Sequence, residues 1–127
     1  MPLTVDEIVE IHTLLILRHG IIDGVRDLGR LETMVEYRLH AASNVFEEAA
    51  IILSTIAVDH PFFDGNKRTA FVAAVETIKS SGYDFVAHND RVVSFVLAVA
   101  RREKTQSEVE NWLRENTVVR SDLAEPL

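Results

Sequence analysis

Nine consecutive residues, His60-Pro61-Phe62-Phe63-Asp64-Gly65-Asn66-Lys67-Arg68, hold a base, a lone carboxylate, a tight turn and two cations. A neutral imidazole at His60 can take the proton of an attacking hydroxyl. Asp64, a single carboxylate beside cations, suits Mg²⁺, which takes one or two carboxylates plus substrate phosphates. Gly65 lets the chain turn tightly enough for successive N–H groups to point inward as an anion nest. Asn66 opens a helix, whose unpaired amides and positive dipole end attract anions. Lys67 and Arg68 add a compact point charge and a fork that grips phosphate oxygens in pairs. Each type also has an ordinary use: His60 at the negative end of the preceding helix, Asp64-Gly65 as a turn, Asn66 as an N-cap. Their combination points to the handling of a phosphorylated substrate. Of the flanking Phe62 and Phe63, one is expected to pin the loop to the core.

Helices must position this loop. Thr4-Val5-Asp6-Glu7 reads as a capping box, followed by Ile8, Ile11, Leu14 and Leu15 at helical spacing until Gly20. Residues 21–29, with Gly24 and Gly29, read as a loop, and helical periodicity returns with Leu31, Met34, Val35 and Leu39. A third helix from Phe46 to about Val58 is apolar on most sides, the mark of a central buried helix. A fourth runs from Lys67 to Ser80, closed by Gly82. The fifth spans Asp90 to Arg102, and the sixth starts at Ser107 with Glu110 as its capping partner. Tyr83-Asp84-Phe85-Val86 alternates like a strand but has no evident partner, so it reads as an extended connector. The expected fold is all-α: a compact single domain, residues 1–127, of about six helices with a loose tail over about 117–127.

The 127 residues suffice for one self-supporting core, and nearly half are apolar. The absence of cysteine excludes disulfides, thiolate metal sites and a cysteine nucleophile, and suits a reducing cytoplasm. A formal charge of −7 argues against direct nucleic-acid binding. It fits either a basic partner or simple solubility. No signal-peptide pattern opens the chain, and charges interrupt every apolar stretch, so neither export nor a membrane span is expected. His12, His19, His40 and His88 share no ligand spacing and read as surface or helix-end residues. There is no Gly-x-Ser-x-Gly elbow and no P-loop. Trp112 reads either as an anchor of the last helix or as part of a partner groove.

The loop resembles the signature of the Fic/Doc family, His-x-Phe-x-Asp-Gly/Ala-Asn-Gly/Lys-Arg, at His60, Phe62, Asp64, Gly65, Asn66, Lys67 and Arg68. Chance agreement at that many positions is about 10⁻⁹ per window if residues are taken as equally frequent. Gly24-Val25-Arg26-Asp27-Leu28-Gly29-Arg30-Leu31-Glu32 resembles a second stretch, Gly-x-Arg-Asp-x-Gly-x-Leu-Glu, common in the death-on-curing (Doc) branch. Fic proteins transfer AMP and carry glycine after the asparagine and a second arginine three residues past the first. Here those positions are Lys67 and Phe71, which point to the Doc branch, whereas Pro61 and Gly65 are the usual Fic choices.

The resemblance implies a toxin that uses ATP with Mg²⁺ and moves the γ-phosphate to a protein hydroxyl. Elongation factor Tu is the implied target, and a cognate antitoxin the implied inhibitor. On this reading His60 and Lys67 are the catalytic residues, His60 as the base; Asp64 holds Mg²⁺, and Gly65, Asn66, Lys67 and Arg68 bind phosphate. Lys67 fills space that a nucleotide phosphate occupies in the Fic arrangement, so ATP is expected to bind end for end. Two alternatives stand beside this: AMP transfer on the same fold, and a retired enzyme that acts only as an antitoxin-binding module. Ser43 and Glu47 resemble a Fic self-inhibitory pattern, but Glu48 follows where Gly or Asn is usual, so inhibition is expected from another chain. The loop from Gly20 to Gly29 reads either as a clamp for the target backbone or as a plain helix connector.

Overall fold

Helix α3 (Val45–Asp59) occupies the centre of the computed structural model, which describes residues 2–19 and 22–120. Asn44 starts it, its Oδ1 accepting the amides of Phe46 and Glu47 at 3.0 Å each. Ala49, Ala50, Ile52, Leu53, Ile56 and Ala57 along it are all fully buried, as expected of a helix apolar on most sides. Around it lie α1 (Val5–His19), α2 (Leu28–Thr33), α4 (Asn66–Lys79), α5 (Asn89–Ala100) and α6 (Gln106–Glu115). The all-α expectation of about six helices holds among the described residues. The Thr4–Glu7 capping box forms as read, with both reciprocal bonds in place. Gly20 and Ile21 lie outside the described residues.

Four local readings need correction. The second helical run starts earlier, at Leu28, because the Asp27 carboxylate caps it through the Arg30 amide. It then widens into a π-helical segment, Met34–Leu39. Met34 and Leu39 are both buried, yet five residues apart an α-helix would set them roughly 140° apart. The wider turn, with its i→i+5 pattern, brings both to the core.

Helix α6 is capped by Thr105, not Ser107. The Thr105 hydroxyl accepts the Glu108 amide, and the Thr105 amide donates to Glu108 Oε1 at 2.8 Å. Bonding to Thr105, first its amide and then its hydroxyl, holds the Glu108 carboxyl below its ordinary pKa. That contribution is complete above the ordinary carboxylate pKa and is lost as pH falls through the lowered folded value.

The segment Tyr83–Phe85 does have a partner. It forms β1, antiparallel to β2 (Thr117–Val119), with Tyr83 opposite Val119 and Phe85 opposite Thr117. The tail reading therefore fails for residues 117–119, and residues 121–127 lie outside the described residues. Arg120 continues the pairing: its amide bonds the Gly82 carbonyl and its Nη2 reaches the Lys79 carbonyl at the end of α4. The ribbon carries Phe85 against Trp112 and Phe71, while Trp112 stacks on Phe95 at 4.0 Å. This aromatic chain ties α4, α5 and α6 together, so Trp112 is an anchor. No helix among the described residues is long and apolar enough to cross a membrane.

Helices α3 and α4 share the largest contact, and the fully buried Ala70, Ala73 and Ala74 keep α4 thin there. Ala73→Leu should therefore overpack the core and cost about 1–3 kcal/mol. A lower urea midpoint at unchanged slope would show it.

Candidate active site

Residues 60–65 form the turn from α3 into α4, bracketed by two left-handed residues: His60 (φ 50°, ψ 60°) and Gly65 (φ 75°). α3 must stop at Asp59, because a residue preceding proline is forced out of the helical region. Gly65 supplies the opposite turn at the N-cap of α4, where its lack of a β-carbon makes the conformation accessible. Between them Phe62 is the pin, 1% exposed, while Phe63 is 60% exposed.

The interior supports of the loop are polar. The Asn66 side chain closes a two-way bond with Phe62, accepting its amide and donating to its carbonyl, both at 2.9 Å. Asn66 is itself 8% exposed, so its amide group braces the loop from beneath. Val25 and Phe62 form an isolated antiparallel bridge, and the Phe63 amide bonds the Gly24 carbonyl. A β-carbon on Gly24 would stand 3.0 Å from the Phe63 ring, in a backbone with φ of +121°, so glycine is required there. The segment before Gly29, whose role stood open, thus pairs with the loop itself.

His12 is the functional residue that sequence reasoning misplaced. It is 1% exposed, not at the surface. Its ring lies parallel to Phe62 at 3.9 Å, and its Nε2 is 2.7 Å from the Asp64 carbonyl. A carbonyl only accepts, so Nε2 carries the proton. A signal was present: His12 lies four residues after Ile8 and four before Ile16, both buried, so it had to share the core face of α1. His19, His40 and His88 are exposed, as read.

The side chains that remain converge on one cavity of about 520 Å³. His60, Asp64, Gly65, Asn66, Lys67 and Arg68 line one side, so every candidate from the sequence borders the same space. The opposite wall is the apolar face of α5, with Val92, Val93, Val96 and Leu97, closed by Phe71 and Asn89. His60, Lys67 and Arg68 are exposed, and their side chains bond no protein group among the described residues. The first α4 amide with a protein acceptor is that of Thr69, which bonds the Gly65 carbonyl, so among the described residues those of Asn66, Lys67 and Arg68 have none and face the cavity side as an anion site.

Asp64 Oδ1 accepts the Gly65 amide at 2.8 Å, which fixes the carboxylate and leaves Oδ2 without a protein partner among the described residues. No group of three or more His, Cys, Asp or Glu that could hold a metal exists among them. The donor set therefore does not fit an ion caged by protein. It fits Mg²⁺ held by one carboxylate together with phosphates and water.

A family model described as the Fic/DOC family matches residues 2–77, a span running from α1 through most of α4 and including both loops. The chain belongs to the Fic/DOC family. It is 28% identical over 114 residues to "Protein kinase doc" of Escherichia phage P1, covering 86% of this chain and 90% of that protein. It is 33% identical over 87 residues to "Toxin Doc" of Mycolicibacterium smegmatis, covering 62% of this chain and 67% of that one. Both relatives are Doc proteins, which places this Fic/DOC chain on the Doc branch.

His12→Phe keeps the stack on Phe62 and removes the donor to the Asp64 carbonyl. The variant should lose about 1 kcal/mol, since the Asp64 carbonyl it orphans is only part-buried. Denaturant unfolding that matches the parent protein would show that this bond does not support the loop.

Proposed function

We propose that this protein is a Doc-type toxin that transfers the γ-phosphate of ATP to a Ser or Thr hydroxyl of a translation factor, arresting translation. Elongation factor Tu is the target the family resemblance implies, and a cognate antitoxin is the partner that holds the toxin inactive. The observation that carries the reading is the single cavity shared by His60, Asp64, Lys67, Arg68 and the free amides of α4. A base, a carboxylate and an anion site on one wall are the parts that phosphoryl transfer requires. The names of the two relatives, one a kinase and one a toxin, favour the same reading.

His60 takes the proton of the target hydroxyl as its oxygen forms the new bond to the γ-phosphorus. The bond from that phosphorus to the β,γ-bridging oxygen breaks, and ADP leaves with the bridging oxygen. Lys67, Arg68 and the amides at the start of α4 bind the phosphates and offset the charge that spreads over them. Asp64 would hold Mg²⁺, which neutralises phosphate charge when bound. The apolar α5 wall leaves the nucleoside a dry surface and lowers the screening around the charges. Lys67 carries the branch choice: its side chain occupies the place of the Fic glycine, so ATP presents its terminal phosphate to the imidazole.

Label distinguishes this from AMP transfer. Phosphorus from the γ-position of ATP should reach the target protein, and phosphorus from the α-position should not. His60→Ala should lower turnover by about 10²–10⁴. Label arriving from the α-position would replace phosphoryl transfer by AMP transfer.

A further inference from the structure

His60 holds a left-handed backbone, with φ 50° and ψ 60°, although it carries a β-carbon and precedes a proline. Glycine is the usual residue at this place after a helix. A side-chain-bearing residue stays there only when its surroundings over-determine it. The His60 amide still bonds the Ile56 carbonyl at 3.3 Å, and the side-chain bonds that surround it come from one residue 34 positions away, Arg26.

Arg26 Nε donates to the His60 carbonyl at 2.8 Å, and its Nη2 donates to the Asp59 carbonyl at 2.8 Å. The Arg26 amide donates to the Pro61 carbonyl at 2.7 Å, joined there by the Asp27 amide at 2.9 Å. Three successive carbonyls, 59 to 61, therefore face one residue. In an uninterrupted helix they would all point along the axis away from it, and in an extended chain they would alternate. Only the reversal at His60 presents them together.

The guanidinium is not occupied otherwise. Among the described residues no carboxylate pairs with Arg26, although Asp27 and Asp59 are its neighbours; both pair with Arg30 instead. Its planar fork matches two adjacent carbonyl oxygens, and its charge lies at the negative end of α3, which has no basic residue of its own in its last turn.

We propose that Arg26 is the positioning residue of the reaction: by bridging the Asp59 and His60 carbonyls it locks the left-handed backbone that aims the His60 imidazole into the cavity. This rests on the role given to His60 above. Arg26 does not touch the reacting atoms. Its side chain is exposed, so water replaces its bonds readily when it is removed. Its loss therefore leaves the fold standing and releases the aim of the base. A misplacement on the order of 1 Å costs about 10² in rate.

The test combines kinetics with backbone chemical shifts. Arg26→Ala should reduce turnover about 10- to 100-fold at unchanged KM for ATP. Its melting temperature should move by less than about 4 °C. The Cα and Cβ shifts of His60 should lose their left-handed signature. Free guanidinium chloride, at millimolar concentrations far below those that unfold proteins, should restore part of both. Arg26→Lys keeps the charge but not the fork, and should remain impaired in both readouts.

A left-handed His60 in the Arg26→Ala protein, unchanged turnover, or full recovery by lysine would each overturn the proposal. If the parent protein transfers no phosphate, the proposed function fails, and the shifts of His60 alone decide the role of Arg26.

Discussion

The site depends on satisfying the backbone of a loop wedged between two buried helices. A backbone polar group needs a partner, protein where it is buried and protein or water where it is exposed, and the turn from α3 to α4 has no continuing helix or sheet to provide one. Side chains provide it instead. Arg26 serves the carbonyls of 59 and 60, the amides of 26 and 27 serve that of 61, Asn66 serves both groups of Phe62, and His12 serves the Asp64 carbonyl. Among the described residues, the amides of Asp64, Asn66, Lys67 and Arg68 have no such partner. Three of these open the helix that borders the cavity. In this turn, the free donors among the described residues thus gather where an anion would bind.

This accounting gives the motif residues two different tasks. Phe62 and Asn66 are buried and hold the loop, whereas His60, Lys67 and Arg68 are exposed and left without protein partners among the described residues. Asp64 belongs to both groups, with its carbonyl held by His12 and its carboxylate set by the Gly65 amide. A substitution at Asn66 would therefore act through loop geometry before it acted on phosphate contacts. Kinetics alone would confuse the two, and unfolding measurements would separate them.

Most of the helices were legible because they follow local rules: the Thr4–Glu7 box, the largely apolar α3, and the glycine at the start of α4. What stayed hidden was non-local. β1 has the alternation of a strand, but its partner lies 32 to 36 residues later in three residues, Thr117-Val118-Val119, too short to announce a strand. The π-helical turn at Met34–Leu39 answers to the position of the core rather than to any residue within it. His12 stands 52 residues from the carbonyl it holds, and only its place between Ile8 and Ile16 betrayed its burial. The candidate site was readable because its groups are contiguous. Its supports were not, because they arrive from α1 and from the segment before α2.

Net charge and local charge act on different scales here. The formal −7 argues against tracking a long phosphate backbone, since many contacts over a wide acidic surface would all be penalised. A single triphosphate meets a different field. Screening at physiological salt has a length of about 8 Å, so distant surface carboxylates are largely silent inside the cavity. Lys67, Arg68 and the free amides of α4 border the cavity directly, and the α5 face opposite them is apolar. Low-dielectric walls strengthen nearby charges more than remote ones. An acidic protein can therefore bind a polyanion at one point while rejecting it everywhere else, provided that the cations at that point have no acidic partners of their own. Among the described residues Lys67 and Arg68 meet that condition, whereas Arg30, Lys79 and Arg114 are each paired with a carboxylate.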